Sequence, residues 1–291
     1  MDRYICHKIV CWYLKNSKYD PHYIEYYLLK IIKGSNMVKI TTKKIMDIEP
    51  LKDAILIEGL PGIGHVGLIT AEHIIHEFKG EKFMELYCDD FPPQVLVNPD
   101  GTVSSMNIEF YAVKEPMPMI VVVGNTQALS PAGQYQLSQK IVEIGVEYGA
   151  TMTYTIGGFG TGTLNEELPK VFVASTSKEL SDKIKELGAE YRQDGGGIIG
   201  AAGLMLTFSK LNGLDAVCLM GETPGYLVDP KSARQVLELL SKIIGFEIDV
   251  KELEERAKEM EKFLEKIKKF EEESTHQQPR PPSADDLRYI G

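Results

Sequence analysis

Met119-Ile120-Val121-Val122-Val123 is an unbroken run of apolar side chains that stops at Gly124-Asn125-Thr126-Gln127. A run this short, apolar on both faces and rich in β-branched residues, reads as a strand in the middle of a sheet. A helical pattern follows from Pro131 to Tyr148, with Ser130 as N-cap and proline at the first helical position. Strand, glycine turn and helix then recur on either side. Upstream, Ala54 to Ile57 precedes a helical stretch from Val66 to Phe78. Phe83 to Tyr87 and Ile108 to Val113 read as strands, with two short ones about the turn Asn98-Pro99-Asp100-Gly101. Downstream, strands at 151–156, 171–175 and 216–220 alternate with helices near 177–187, 201–212 and 232–244. The alternation predicts an α/β fold, a largely parallel central sheet flanked by helices. Ligand contacts in such folds gather at the carboxyl ends of strands. Here those ends are Glu58-Gly59, Asp89-Asp90, Gly124-Asn125, Gly157-Gly158 and Gly221-Glu222.

Composition narrows the functional classes. Net charge is -10, with much of the acid in the C-terminal helix, and no basic stripe suits a nucleic-acid partner. No stretch of 18 or more apolar residues is present to span a membrane. The four cysteines make no CxxC pair, so neither zinc nor a disulfide framework is expected, and a reducing cytoplasm is the simplest compartment. Residues 1–36 differ from the rest. They hold six of 14 tyrosines, the only tryptophan and a net charge of +3, against -13 for the remainder. The expectation is an upstream extension, with translation starting at Met37; the alternative is a short amphipathic helix from Tyr23 to Ile32. The remaining boundaries are a core domain at 37–246, a charged helix at 247–273 and a flexible tail at 274–291.

Gly62-Ile63-Gly64-His65-Val66-Gly67 fits G-x-G-x-x-G between a strand and a helix, with Asp89 about twenty residues on. Glycines there let a backbone approach a pyrophosphate at a positive helix end. Gly59 to Gly64 also approximates a phosphate loop, but His65 and Val66 stand where Lys and Ser or Thr are needed. Gly59, Gly62, Gly64, His65 and Gly67 are therefore the candidate ligand loop, and a tight strand-to-helix turn with close packing is the favoured reading of them. Catalytic groups are scarce. No His-x-x-x-His pair suggests a metal site, and no serine sits in a G-x-S-x-G elbow. Glu58, Asp89, Asp90, Glu222 and Asp229 form a carboxylate cluster only if the strand ends bring them together.

The C-terminus has a different character. Apolar residues at Val250, Leu253, Ala257, Met260, Leu264 and Ile267 alternate steps of three and four, the spacing of a seam between helices. These are the candidate oligomerisation residues, although so short a seam also suits packing on the body. The proline-spaced tail that follows ends in Leu287-Arg288-Tyr289-Ile290-Gly291. A tether with an aromatic tip suits docking onto a partner.

Together, the motifs resemble those of one family. Residues 58–67, Tyr87 with 89–95, Gly157-Gly158-Phe159, Gly200-Ala201-Ala202-Gly203-Leu204, and 219–226 with Asp229-Pro230 resemble the proteasome assembly chaperone family in its archaeal branch. The resemblance implies a fold similar to purine nucleoside phosphorylases without their chemistry. It implies an ATP-independent homo-oligomer, needing no cofactor, that binds proteasome α subunits by inserting its tail between them. Tails of this kind often end in hydrophobic-Tyr-any residue. Here Ile290 is penultimate and Tyr289 comes one place early, so either Leu287, Tyr289, Ile290 and Gly291 make a variant anchor or insertion fails. Two other readings stand beside it: a nucleotide- or nucleoside-handling hydrolase or phosphorylase using loop 59–67, and an oligomeric scaffold with no proteasome role.

Overall fold

The computed structural model describes residues 38–163, 167–260 and 262. The chain divides into Met1–Lys39 and Ile40–Gly291, and of the first unit only Val38 and Lys39 are described. The strands are β1 (Ile40–Lys44), β2 (Ala54–Glu58), β3 (Glu81–Cys88), β4 (Val95–Val97), β5 (Val103–Ser105), β6 (Ile108–Val113), β7 (Met119–Gly124), β8 (Ala150–Gly160), β9 (Val171–Ser175) and β10 (Asp215–Thr223). The helices are α1 (Val66–Glu77), α2 (Pro131–Glu147), α3 (Lys178–Glu186), α4 (Ala201–Leu211), α5 (Pro230–Ile244) and α6 (251–260).

Eight strands form one sheet in the order β1-β3-β6-β7-β2-β8-β10-β9, while β4 and β5 make a separate hairpin. The heart of the sheet, β7-β2-β8-β10, is parallel throughout. The outer strands pair antiparallel on both sides. One row runs across the middle: Tyr111 opposite Val121, then Ile57, Tyr154 and Val217. Because side chains alternate along a strand, the sheet carries a core on each face. On one face, Ile57, Val121, Ile156 and Val217 pack with Ile74 of α1 and Val236 and Leu240 of α5. On the other, Leu56, Ile120 and Val122 pack with Leu137 and Ile141 of α2 and Met205 of α4.

The helix starts follow from local chemistry. Ser130 Oγ accepts from Gly133 N (3.0 Å) at the head of α2. Asp229 Oδ1 accepts from Ser232 N (2.9 Å) at the head of α5, with Pro230 at the first position. Gly245, at φ 90°, closes α5 in the left-handed conformation that glycine adopts without strain. Two expectations change. The glycines after Ile156 and Met220 do not end their strands: Gly157 to Gly160 and Gly221 to Thr223 stay paired in parallel register. Ile40–Lys44 was not expected to be a strand. It carries one apolar residue in five and is an edge strand, where exposure removes the hydrophobic alternation.

Candidate functional site

The four parallel strands deliver their carboxyl ends to one side of the molecule, and the loop after β2 lies at their centre. Its Ile63–His65 turn is a single 3₁₀ turn with Gly64 at φ 65° and His65 at φ 52°. The loop is filled by protein. A methyl group on Gly59 would lie 2.3 Å from Gly67 O and 2.5 Å from Ala71 Cβ. One on Gly67 would lie 2.3 Å from Ile156 O, one on Gly158 2.1 Å from Ile63 O, and one on Gly64 2.7 Å from Thr223 Oγ1. Gly59, Gly64 and Gly67 are therefore small so that β2, β8, β10 and α1 can close on one another. Gly62 is exposed, where a methyl group would meet nothing nearer than Leu60 O at 4.0 Å, and His65 is exposed. Gln127 fastens the next loop to this turn: Nε2 donates to Pro61 O (2.8 Å) and Oε1 accepts from Ala201 N (3.1 Å).

The strand-end carboxylates do not converge as a cluster; most serve local structure. Glu58 is buried and its Oε1 accepts from Leu60 N (3.0 Å), while Oε2 has no partner. Burial pushes its carboxyl up to about 8, against the opposing pull of the backbone hydrogen bond from Leu60. It is therefore neutral at pH 7. Asp90 Oδ2 accepts from Ser130 N (2.8 Å) and Ser130 Oγ (2.9 Å), bracing the head of α2. Asp229 caps α5, and its N–H donates to Gly64 O (2.9 Å). Glu222 accepts from Lys170 N (3.2 Å). Asp89 is exposed. Among the described residues, no group of three or more His, Cys, Asp or Glu side chains could hold a metal.

A charged cluster that the sequence reading missed lies on β3 and β6. Lys82 Nζ donates to Glu85 (2.9 Å) and Glu109 (3.0 Å). Tyr87 donates to Glu85 (2.8 Å) and Tyr111 to Glu109 (2.6 Å). Although burial pushes the other way, Lys82, Tyr87 and Lys43 hold the Glu85 carboxyl down to about 2. The signal was the Glu-x-Tyr repeat at 85–87 and 109–111, which places each pair on one face of its strand.

The charged helix begins on the body. Val250 packs against the core beside α5, and Leu253 is buried within it. His73 Nε2 donates to Asp249 O (2.7 Å), and Arg234 pairs with Glu254 (3.0 Å). Ala257 and Met260 line a groove with Pro224, Leu227 and Val228. Val250 and Leu253, candidates for a seam between helices or for packing on the body, make a tertiary contact within the chain. Leu264 and Ile267 lie outside the described residues, as do Leu287, Tyr289, Ile290 and Gly291 of the tail.

Known proteins share this architecture. The chain is 65% identical over 256 residues to Methanocaldococcus jannaschii uncharacterized protein MJ1210, covering 88% of this chain and 99% of the relative. Pyrococcus furiosus PbaB, an archaeal proteasome activator, superposes with a TM-score of 0.75 at 39% identity, over 79% of this chain and 99% of PbaB. Pyrococcus furiosus PbaA, an archaeal homolog of proteasome-assembly chaperone, superposes with a TM-score of 0.66 at 25% identity, over 81% and 95% of the two chains. The PAC2 family model matches residues 56–268, most of the chain beyond the central strand's first residues, and the chain belongs to that family.

Proposed function

We propose that this protein is an ATP-independent chaperone or adaptor, not an enzyme, that binds proteasome α subunits in the cytoplasm. It works as a homo-oligomer and engages the α ring through the C-terminal tail, with Leu287, Tyr289, Ile290 and the Gly291 carboxylate as the anchor. The observation that carries the reading is the likeness to PbaB, a proteasome activator, over nearly the whole of that chain. The filled glycine loop supports it: the space a nucleotide's phosphates would need beside Gly59, Gly64 and Gly67 holds backbone and Thr223. No helix among the described residues is long and apolar enough to cross a membrane.

The test is capture of native α subunits by the full chain and by a chain lacking residues 274–291. The full chain captures them, and the truncated chain captures markedly less while keeping its oligomeric mass. Equal capture by both chains rejects the tail as the anchor, and no capture by either rejects the partner. Peptidase activity of assembled proteasomes, measured with and without the full chain, separates activation from assembly.

A further inference from the structure

α4 is capped by Asn212-Gly213, the only Asn-Gly pair in the sequence. Such a pair is chemically labile, because glycine has no side chain to keep its backbone nitrogen from the asparagine carboxamide. The Gly213 nitrogen attacks Asn212 Cγ, a new N–C bond closes a five-membered succinimide, and the side-chain nitrogen leaves as ammonia. Water then opens the ring at either carbonyl. The product is aspartate or, with an extra methylene in the backbone, isoaspartate. One water enters for each ammonia lost, and no electrons change hands. Asp100-Gly101 closes the same ring less readily. Asp100 Oδ1 accepts from Thr102 N (3.0 Å) and Thr102 Oγ1 (2.7 Å), which hold its carboxyl below the usual range and keep it ionised, a poor electrophile.

In the fold the reacting atoms are held apart. Asn212 sits at φ -92° and ψ 8°, which turns Gly213 N toward Asn212's own nitrogen and away from its side chain. The carboxamide points back along the helix, with Nδ2 donating to Phe208 O (2.8 Å). Gly213, at φ 79°, donates its N–H to Lys210 O (3.1 Å), and Leu214 N donates to Ser209 O (2.9 Å). Those are the two bonds of a Schellman cap. The cap is anchored: Leu214 is buried, Ser209 Oγ donates to Thr153 Oγ1 of β8 (2.9 Å), and Phe208 meets Tyr135 of α2 edge to face. Cyclisation needs Gly213 N within about 3–3.5 Å of Asn212 Cγ, so these bonds must break first. Asn212 and Gly213 are nonetheless exposed, and the water that completes the reaction has free access. We infer that Asn212 is a spontaneous deamidation site latched by the cap of α4: it reacts only when the last turn opens, and its product keeps the turn open. The added methylene of isoaspartate displaces Gly213 and Leu214 from their carbonyl partners, and either product sets a carboxylate at the negative end of the helix. The latch works whichever partner the protein serves.

The experiment follows the full chain at mildly alkaline pH, folded and in urea, by peptide mapping with mass spectrometry that separates aspartate from isoaspartate. The folded chain deamidates at Asn212 at least tenfold more slowly than the unfolded chain. Opening one helix turn exposes little surface, so the folded-state rate stays flat in urea below the unfolding transition. Leu214→Ala removes the buried anchor without touching the reacting groups and speeds the folded-state reaction several-fold. Asn212→Gln abolishes the product. Equal rates in the folded and unfolded chain overturn the proposal, as does a folded-state rate that climbs with urea along the global unfolding curve. An unchanged rate in a Leu214→Ala chain that still melts cooperatively overturns it too. A product that persists in Asn212→Gln places the reaction elsewhere and sinks the assignment. If Leu214→Ala fails to fold, the urea profile of the parent chain decides alone.

Discussion

Glu58 ends the central strand with a buried carboxyl whose second oxygen has no partner. Its titration point is about 8 in the fold, against 4.5 in the unfolded chain. Between those values the folded chain keeps a proton that the unfolded chain releases, so stability is full below pH 4.5 and falls as pH rises toward 8. The cumulative loss is up to ~4 kcal/mol by pH 8. Glu58→Gln removes the titration: its melting temperature falls less than the parent's between pH 5 and 8.5, and an unchanged slope would show that Glu58 is not the group responsible. The glycines of the same turn separate by environment. Gly59→Ala drives a methyl into Gly67 O and Ala71 and costs about 1–3 kcal/mol of stability or more, as overpacking against backbone does. Gly62→Ala meets open space at an extended φ of -156° and changes stability by less than about 0.5 kcal/mol. Denaturant unfolding of the pair decides the matter, and equal effects would mean that packing does not set the identity of these glycines.

At the scale of elements, α6 shows how one periodicity serves two purposes. The three-four spacing that suggests a seam between helices equally describes a helix lying on a sheet domain. Leu253 is buried beside Leu240 and Val236, His73 holds the carbonyl of Asp249, and Phe246 meets Phe78 edge to face at 5.5 Å. Leu253→Ala accordingly destabilises the fold by about 2–4 kcal/mol through the cavity it leaves. It leaves the oligomeric mass unchanged at concentrations where the chain stays folded. A loss of mass without loss of stability, seen by light scattering beside thermal unfolding, would return Leu253 to an intermolecular seam.

For the whole molecule, the ability of a weak tail to hold a large ring is a question of number. If 274–291 is a flexible tether, its typical reach is roughly 25 Å. Several such tethers on one oligomer turn later contacts into intramolecular ones, with gains of about 10²–10⁴ in avidity. Removing 274–291 should therefore weaken α-subunit binding by at least tenfold, and so should dissociating the oligomer with its tails intact. Titration of labelled α rings against the truncated chain, and against the full chain diluted below the concentration at which it assembles, compares the two losses.

The sequence by itself determined the α/β class, the parallel heart of the sheet and the helix start at Ser130. Each rests on a local rule: an apolar run, a cap, a proline at the first turn. It also carried the family, through glycine-rich turns that recur in a fixed order. Only the tertiary structure decided what those glycines are for, because a backbone oxygen 2.3 Å from an absent methyl comes from a strand about ninety residues away. It alone turned Val250 and Leu253 inward, since a heptad stripe does not specify which apolar surface receives it.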